Sequence, residues 1–416
     1  MIYLLDNEGE RHAMRKRAYL FSRDTIWSNT ARKYMASFQR ARFGRSLLPK
    51  FMPNYNNLIN LPDELPILNV SHLLRMTDDT GMLQHAIFSI PNSIEGYTID
   101  DNARALIVST LLEGKSLDIN EATIFNLSSR YLAFLWFAFD SNIGRFRNFL
   151  SYDRKWLEDF GSEDSHGRAI WALGKVLGYS QDKGLRGAAG RLFEVALPTT
   201  LNFNSPRTWA FTILGTKAYL DWFPGDRGVQ KIQQELANRL LDLYEKNHSS
   251  TWLWFEKSLS YSNARLSQAL ILAGLNINNQ RMIEVGVESL KWLISEQHRD
   301  DPEIFVPIGS NGFFIAGNEK ARFDQQPVEA CGTISACLAM FKLTNEFQWF
   351  EEAQRVFRWF LGKNDLQIPL YDATTGGCKD GLHPDHINEN QGVESTLSFL
   401  MALIEMQNAI KIINET

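Results

Sequence analysis

The sequence predicts an all-α protein in which six helical hairpins close into a ring. Three observations lead to this prediction: a recurring polar cluster, an apolar helical run behind each cluster, and amphipathic runs between them. The clusters are Asp100-Asp101-Asn102, Glu163-Asp164-Ser165-His166, Ser205-Pro206-Arg207, Ser262-Asn263, Gln325-Gln326-Pro327 and Asn390-Gln391-Gly392. Successive clusters are 63, 42, 57, 64 and 64 residues apart. Because a recurring unit of this kind indicates repeated helical pairs, we expect every cluster at one mouth of the ring.

The runs behind the clusters are expected to be the inner helices of that ring. They are apolar on nearly every side, as in residues 169–174 and 396–402, and a helix that is apolar all round is buried. Small residues such as Gly174 and Gly215 recur in them, which lets crowded helices approach one another at the axis.

The runs between the clusters carry apolar residues at a spacing of three to four and charges elsewhere, which predicts amphipathic outer helices. Their expected ranges are 122–139, 182–197, 227–247, 279–297 and 346–362. The outer partner of the first inner helix is expected before residue 95, either within 12–40 or as a short helix at 71–78. Residues 303–315 and 366–382 contain proline and glycine, and each is expected to form a small hairpin beside the mouth.

The chain divides into three predicted segments. Residues 1–42 are charged and helical in period, and they form an N-terminal extension. Residues 43–70 contain Pro49, Pro53, Pro62 and Pro66, so they are predicted to be a linker rather than one helix. Residues 71–416 are predicted to form the ring.

The composition excludes several classes of protein. Lys and Arg number 43 against 48 Asp and Glu, a net charge of −5, so no nucleic-acid partner is expected. No run of about 18 apolar residues and no basic N-terminal leader is present, which predicts a cytoplasmic protein without a membrane partner. The three cysteines are an odd number without a CxxC pair. No Walker A, GxSxG or strand-linked GxGxxG motif occurs, so no cofactor is predicted.

The mouth of the predicted ring is where chemistry is expected. Helix N-termini that point the same way present free N–H groups and a partial positive charge, and acidic residues are concentrated there. Two carboxyl groups, one acid and one base or nucleophile, are what glycosidic bond cleavage requires. We therefore predict Asp101 and Asp164 as the catalytic pair, with Glu394 or Asp380 as the reserve partner.

Helix capping is the competing interpretation of the same residues. Asp101, Asp164, Ser205, Asn263 and Asn390 are all preferred N-cap types. Pro206 and Pro327 suit the first helical position. The clusters nevertheless hold more polar side chains than caps need, and buried polarity without a partner is costly.

Further side chains near the clusters are predicted to contact a substrate. The candidates for hydrogen bonding are His85, Arg104, Glu163, His166, Arg168, Asn263, Gln326 and Asn390. Trp254 and Tyr261 are candidates for stacking on a sugar ring, with a place in the core as the alternative. His383 and His386 are separated by a loop that contains proline, and we predict no metal site from them.

Residues 1–42 include the stretch LLDNEGERHAMRKRAYLFSRDTIWSNTARKYMASF, with Trp27 and Tyr34. This stretch resembles the C-terminal helices of a GT-B-fold glycosyltransferase. The resemblance implies a remnant of such an enzyme without its donor-binding halves, and it implies a glycosyltransferase as a partner.

Four blocks within residues 70–412 carry a second resemblance. They are LLRMTDDTGMLQHAIFSIPNSIEGYTIDDNARALI, SEDSHGRAIWALG, FDQQPVEA and YDATTGGCKDGLHPDHINENQGVESTLSFLMAL. They are similar to an α-toroid module that follows glycosyltransferases in bacteria and belongs with the six-hairpin glycosidase-like toroids. That group contains hydrolases, lyases and epimerases of sugars, with active sites at the mouth.

The resemblance therefore implies an (α/α)6 toroid that acts on an oligosaccharide or polysaccharide, and the paired carboxyl groups favour a glycoside hydrolase. Two alternatives stay open. One is a lyase or epimerase of an anionic sugar, with His166 and Tyr261 as bases and with Arg104 and Arg168 on the substrate carboxylate. The other is a non-catalytic glycan-binding module that accompanies a glycosyltransferase.

Overall fold

The computed structural model describes residues 3, 7–22, 30–39, 65–115, 119–300 and 303–415. The chain forms two compact units, Met1–Tyr55 and Asn56–Thr416. The first contains helix α1 (Glu8–Ser22) and the helical residues 30–39, here α2, in agreement with the predicted helical extension. Trp27 and residues 43–64 of the predicted linker lie outside the described residues.

The second unit begins with a short helix, α3 (Ser71–Arg75), and continues with alternating inner and outer helices. The inner helices are α4 (Ile99–Leu112), α6 (Glu163–Tyr179), α8 (Pro206–Leu220), α10 (Asn263–Ile277), α12 (Pro327–Thr344) and α14 (Val393–Glu415). The outer helices are α5 (Glu121–Ala138), α7 (Lys183–Ala196), α9 (Arg227–Asn247), α11 (Gln280–Glu296) and α13 (Phe347–Phe360). All five predicted outer helices are confirmed, with ends displaced by no more than two residues.

The inner helices close into a ring. Each inner helix packs on the next, and α14 packs on α4, which joins the last helix to the first. Each outer helix packs against the inner helix that precedes it in the chain. The protein therefore has the predicted (α/α)6 toroid fold.

The short helix α3 corrects the expectation for the first hairpin. It packs against the last inner helix, α14, whereas the outer partner of α4 is α5, the helix that follows it. The short helix expected at 71–78 is thus present, but it packs on the last inner helix rather than the first.

Small residues bring the inner helices together as predicted. A Cβ atom on Gly174 of α6 would come within 2.1 Å of the carbonyl oxygen of Gly215 on α8. One helical turn earlier, the rings of Trp171 and Phe211 lie parallel, with centroids 5.9 Å apart. Larger side chains at the two glycines would force α6 and α8 apart, because the groups in the way are backbone.

The loops between the helices carry short antiparallel strand pairs. The strands are β1 (Ala86–Ile87), β2 (Ile90–Pro91), β3 (Tyr97–Thr98), β4 (Phe139–Asp140), β5 (Arg145–Phe146), β6 (Phe149–Leu150), β7 (Ser258–Leu259), β8 (His298–Asp300), β9 (Glu303–Phe305), β10 (Phe314–Ile315), β11 (Tyr371–Asp372), β12 (Gly377–Cys378), β13 (Gly381–Leu382) and β14 (Ile387–Asn388). The pairs are β1–β2, β3–β6, β4–β5, β7–β10, β8–β9, β11–β12 and β13–β14.

Of the two predicted hairpins, one is confirmed. Within 366–382, β11 pairs with β12. The prediction of a hairpin within 303–315 is wrong. In the structure β9 pairs with β8, which precedes it in the chain, and β10 pairs with the distant β7. The β7–β10 pair joins residues more than 50 positions apart, and such long-range pairing leaves no local signal in the sequence.

Helix α14 is also long and apolar enough, by length and composition, to cross a membrane over Val393–Asn414. Some 61% of that window is buried inside the protein, because α14 is an inner helix of the ring. The expected cytoplasmic location stays a prediction.

Candidate active site

The starts of the inner helices lie at the predicted polar clusters, but most of their caps are other residues. Thr98, Ser162 and Ser205 accept the hydrogen bonds that cap α4, α6 and α8. Ser205 is therefore confirmed as a cap. Asp101 and Asp164 are not caps, because they lie inside the first turn of their helices, where their carboxyl groups are available for other contacts.

A cavity of about 400 Å³ opens among the starts of α4, α12 and α14. Six of the predicted site residues line it: His85, Arg104, Asp101, Gln326, Asp380 and Glu394. They come from both ends of the ring unit, which meet because α14 packs on α4.

Asp101 is the most buried of the acidic residues that line this cavity. It is 4% exposed and accepts hydrogen bonds from Thr98 Oγ1 at 2.6 Å and from Arg104 Nη1 at 3.0 Å. Burial raises the pKa of Asp101 to about 6, even though Arg104 and Thr98 both oppose the rise. The carboxyl group therefore changes its charge near neutral pH.

Arg104 links Asp101 to a second carboxyl group. Its Nη2 donates to Glu394 across 290 positions of sequence, and its guanidinium is almost fully buried. Burial opposes the charge of Arg104, but Glu394 and the neighbouring aspartates raise its pKa above the ordinary value. The Glu394 side chain is 44% exposed, so this carboxylate faces the open part of the cavity.

Asp380 approaches from the loop before α14. Its Oδ1 accepts the N–H of Gly392 at 2.8 Å. A Cβ atom at position 392 would come within 2.6 Å of that oxygen, so a larger residue there would displace the Asp380 carboxyl group. Burial raises the pKa of Asp380 to about 6, against the hydrogen bonds from Ser395 and Gly392.

Two histidines also line the cavity. His85 lies near Asp380 and favours its charged form. His383 donates from Nδ1 to Asp324, and its ring stacks on His386 at 4.6 Å between centroids. The Asp324 contact fixes the tautomer of His383, which leaves Nε2 as the basic nitrogen of the ring.

The loop before α12 is held to the loop before α14. Gln325 and Leu382 exchange two backbone hydrogen bonds of 3.0 Å. The side-chain amide of Gln325 donates to Asp365 at 2.6 Å, and its oxygen accepts from Trp359 at 3.0 Å. Gln326, the next residue, makes no capping hydrogen bond with its side chain and lines the cavity.

Asp164 does not join this cavity with Asp101. Its oxygens accept from Ser205 Oγ at 2.5 Å, from Thr208 Oγ1 at 2.9 Å and from the hydroxyl of Tyr261. The neighbouring Glu163 accepts the backbone N–H groups of Asn204 and Ser205 at 2.8 and 2.7 Å. Both acids therefore attach the start of α6 to the start of α8.

Tyr261 remains partly exposed, at 38%, but the guanidinium of Arg207 lies 4.7 Å from the centroid of its ring. Burial and Asp164 raise the pKa of the Tyr261 hydroxyl well above its ordinary value, so it acts here as a hydrogen-bond donor and not as a base. Stacking of a sugar on its free face stays a prediction.

Three predicted substrate contacts have fully buried side chains and do not line the cavity. His166 lies between the rings of Phe146 and Phe203, and its Nε2 bonds to the carbonyl oxygen of Ala196 at 2.9 Å. Burial lowers the pKa of His166 to about 4. Trp254 belongs to the hydrophobic core, the alternative that its sequence context left open.

Asn263 is the third of these residues. Its side chain bonds to Glu329 at 2.9 Å and to the backbone of Ser260, and it does not cap α10. Glu329 accepts the N–H groups at the start of α10 instead, from the adjacent inner helix.

Two other predicted contacts reach the cavity indirectly. Arg168 Nε lies 3.2 Å from Asp100 Oδ1, and Asp100 lines the cavity. The side-chain oxygen of Asn390 accepts the N–H of Phe88 at 2.9 Å. Contact of either residue with a ligand stays a prediction.

Within the described ranges, no three His, Cys, Asp or Glu side chains converge as metal ligands. Prominent cavity residues that are not among the predicted site residues are Gln84, Asn148, Phe149, Ser310, Asp324, His383 and Asn388. Asp324 and His383 had a usable signal, since both stand within the polar blocks that precede α12 and α14.

No family model matches the sequence, and no curated protein matches it. Several solved structures share the fold. A cellobiose 2-epimerase from Bacillus thermoamylovorans B4167 is 10% identical, with a TM-score of 0.62, over 84% of this chain and 98% of that chain. A sugar epimerase from a ruminal bacterium is 12% identical, with a TM-score of 0.63, over 86% and 98% of the two chains.

The GH76 α-mannanase of Bacteroides thetaiotaomicron is 12% identical, with a TM-score of 0.58, over 87% of this chain and 98% of that chain. At these identities, the likeness establishes the toroid fold alone.

Proposed function

We propose that the protein is a glycoside hydrolase that cleaves an oligosaccharide in the cavity at the starts of α4, α12 and α14. The observation that carries the proposal is the meeting of Asp101 and Asp380 in one cavity, both with a pKa raised to about 6 by burial. Perturbed carboxyl groups in a cleft are candidates for acid–base chemistry.

In this mechanism, Asp380 is the general acid. Its hydrogen-bond partners, the backbone N–H of Gly392 and the hydroxyl of Ser395, carry no charge, and with a pKa of about 6 the carboxyl group keeps part of its proton near pH 6. Asp380 gives that proton to the glycosidic oxygen as the bond to the leaving sugar breaks.

Asp101 is the ionised partner, because Arg104 and Thr98 both donate to it. Its carboxylate stabilises the positive charge that develops on the sugar ring. It then either activates the water that attacks this ring or attacks the ring itself as the nucleophile. Glu394 keeps Arg104 in place and presents its exposed oxygen to a substrate hydroxyl.

Phe149 supplies the stacking surface that the sequence assigned to Trp254. It lines the cavity and is 41% exposed. An aromatic face of this kind covers the apolar side of a sugar ring, while Gln84, Asn388 and Gln326 around it offer hydrogen bonds.

The test is a screen of the full chain against neutral and acidic oligosaccharides, with products read by mass. The expected result is the gain of one water per bond cleaved, with loss of that activity in Asp380→Asn. Asp300→Asn is the matched control, since its side chain is 97% exposed and lies outside the cavity lining. Binding of the same glycans without turnover would leave a glycan-binding accessory module instead.

A sugar epimerase is the second candidate, favoured by His383 and by the epimerases among the structural neighbours. His383, oriented by Asp324, would remove the proton beside the carbonyl of an open-chain sugar, and His85 would return it on the other face. A reaction in D2O separates the two candidates, because epimerisation places deuterium on carbon and adds no water.

His166, a predicted base of a lyase or epimerase, is fully buried and is not part of this proposal. The descent of residues 1–42 from a glycosyltransferase, and a glycosyltransferase partner, also stay predictions. Pull-down of a separately expressed glycosyltransferase by this chain would test the second of these.

A further inference from the structure

The β1–β2 hairpin places a phenylalanine in an unfavourable setting. Phe88, at its tip, is 62% exposed and has a φ of 52°. A left-handed conformation is unfavourable for a residue with a Cβ. The two-residue loop of the hairpin, Phe88-Ser89, accounts for the positive φ. It does not account for a phenylalanine at this position, where glycine would carry no strain.

The conformation of Phe88 is held by the loop before α14. The N–H of Phe88 donates to Asn390 Oδ1 at 2.9 Å, and its carbonyl oxygen accepts the N–H of Gln391 at 2.8 Å. Both backbone groups of the tip are thus fixed to residues more than 300 positions away in the sequence. Strain that is maintained by specific partners points to a role for the side chain.

These contacts place Phe88 at the rim of the cavity. His85, three residues earlier, lines the cavity, and so does Gly392, the residue after Gln391. Phe149, which also lines the cavity, is another exposed ring on this side of the mouth. The site therefore has one exposed ring in the cavity wall, Phe149, and a second exposed ring on a hairpin attached to the loop before α14, Phe88.

Exposed aliphatic side chains surround Phe88 on the same segment, namely Ile87, Ile90 and Ile94. A single exposed apolar residue needs no explanation, but a cluster beside a cavity marks a binding surface. Hydrogen-bonding groups line the cavity below it, so the ligand of this rim has apolar faces and polar edges. A pyranose ring has that chemistry.

We propose that Phe88 is a second stacking platform, outside the cavity, for a sugar ring remote from the cleaved bond. The substrate is then an oligosaccharide longer than the part that the cavity encloses. This inference rests on the proposed carbohydrate function and adds the length class of the substrate to it.

The test measures binding of cello- and manno-oligosaccharides, from disaccharides to hexasaccharides, to the Asp380→Asn form of the full chain by calorimetry. Phe88→Ala and Phe88→Gly are compared with Phe347→Ala, a matched control on α13 whose ring is 50% exposed. Loss of the platform is expected to weaken binding of the longer chains about fivefold to tenfold and to leave the disaccharide unchanged.

Phe88→Gly separates a binding role from a structural one. Glycine adopts a positive φ without strain, so this variant is expected to keep or raise the melting temperature while it loses affinity. Equal affinity of all forms at every chain length would overturn the platform.

The outcomes for the platform and for the hydrolase can be told apart. If wild type cleaves glycans and Phe88→Ala binds every length as wild type does, the platform fails and the hydrolase stands. If the chain-length effect is seen without turnover by wild type, the hydrolase fails and the platform stands. Absence of binding to every glycan would overturn both.

Discussion

The two halves of the mouth use the same residue types differently. In the half built by α4, α12 and α14, Asp101, Asp380 and Glu394 line a cavity. In the half built by α6, α8 and α10, Glu163 and Asp164 accept hydrogen bonds from the neighbouring helix start. An acidic residue in the first turn of an inner helix is therefore not by itself a catalytic residue.

Burial of a carboxyl group does not by itself mark a catalytic residue. Burial raises the pKa of Glu329 as it raises those of Asp101 and Asp380. Glu329, however, is surrounded by the N–H groups of Ser262 and Asn263 and by the Asn263 amide, so its oxygens already have protein partners. The open cavity beside the other two carboxyl groups is what makes proton transfer to a ligand feasible.

The largest effect is expected for Asp380→Asn, on the cavity side. If Asp380 is the proton donor, turnover falls about 10²- to 10⁴-fold, and the melting temperature changes by a few degrees at most. Steady-state kinetics and thermal unfolding of the same preparation check both parts. Retention of more than a tenth of the wild-type rate would contradict the acid role.

Asp164→Asn, on the opposite side, is expected to show the reverse pattern. It weakens three hydrogen bonds that connect α6 to Ser205, Thr208 and Tyr261, so the free energy of unfolding falls by about 1–3 kcal/mol. Turnover is expected to stay within a factor of about three. A folded, fully stable Asp164→Asn protein without activity would restore the pair first predicted from the sequence.

The pH dependence sharpens the assignment of roles. Asp380 must be protonated and Asp101 ionised, and burial places both pKa values at about 6. The rate is therefore expected to pass through a narrow maximum near pH 6 and to fall on both sides. A broad plateau from pH 5 to pH 8 in the kcat/KM profile would argue against this pair.

The same raised pKa has a consequence for stability, with a definite sign. The folded state binds the Asp380 proton more tightly than the unfolded chain does. The contribution of Asp380 to stability is thus complete below pH 4 and is lost as the pH rises through about 6. The loss amounts to roughly 1–3 kcal/mol, and thermal unfolding of Asp380→Asn is expected to lack this part of the pH dependence.

The smallest effect is expected when either of two N-cap residues is removed. Ser162→Ala and Thr98→Ala each remove an N-cap and are expected to cost about 1 kcal/mol of stability. Thr98 also donates to Asp101, so its removal is expected to raise the pKa of Asp101 and shift the acidic limb of the rate profile upward. Equal profiles for the two variants would mean that Thr98 has no part in the chemistry.

The sequence predicts the ring well because the inner helices and outer helices differ in their apolar pattern, and that pattern is local. It predicts the cap residues poorly. The structure caps α4 and α6 with Thr98 and Ser162, which stand just before the more conspicuous acids Asp101 and Asp164. Serine, threonine and aspartate are all preferred N-cap residues, so the sequence does not indicate which of several neighbours is the cap.

The fate of each polar side chain depends on contacts between distant parts of the chain. His166 is buried because Phe146 and Phe203 enclose it, and Trp254 is buried in the core. The cavity joins residues from position 84 to position 395, and Phe149 reaches it through the β3–β6 pair. No periodicity within one segment indicates which acids will face that space.

The pairing of Arg104 with Glu394 also means that the ring cannot close until late in the synthesis of the chain. The two residues are 290 positions apart, and at ordinary rates of translation roughly 15 to 60 s separate their synthesis. Throughout that interval the ring is open, and its first inner helix, α4, lacks both its final neighbour, α14, and the second carboxylate partner of Arg104. The nascent chain thus exposes an apolar edge of α4 until α14 has been synthesised, and we expect chaperones to protect it during that time.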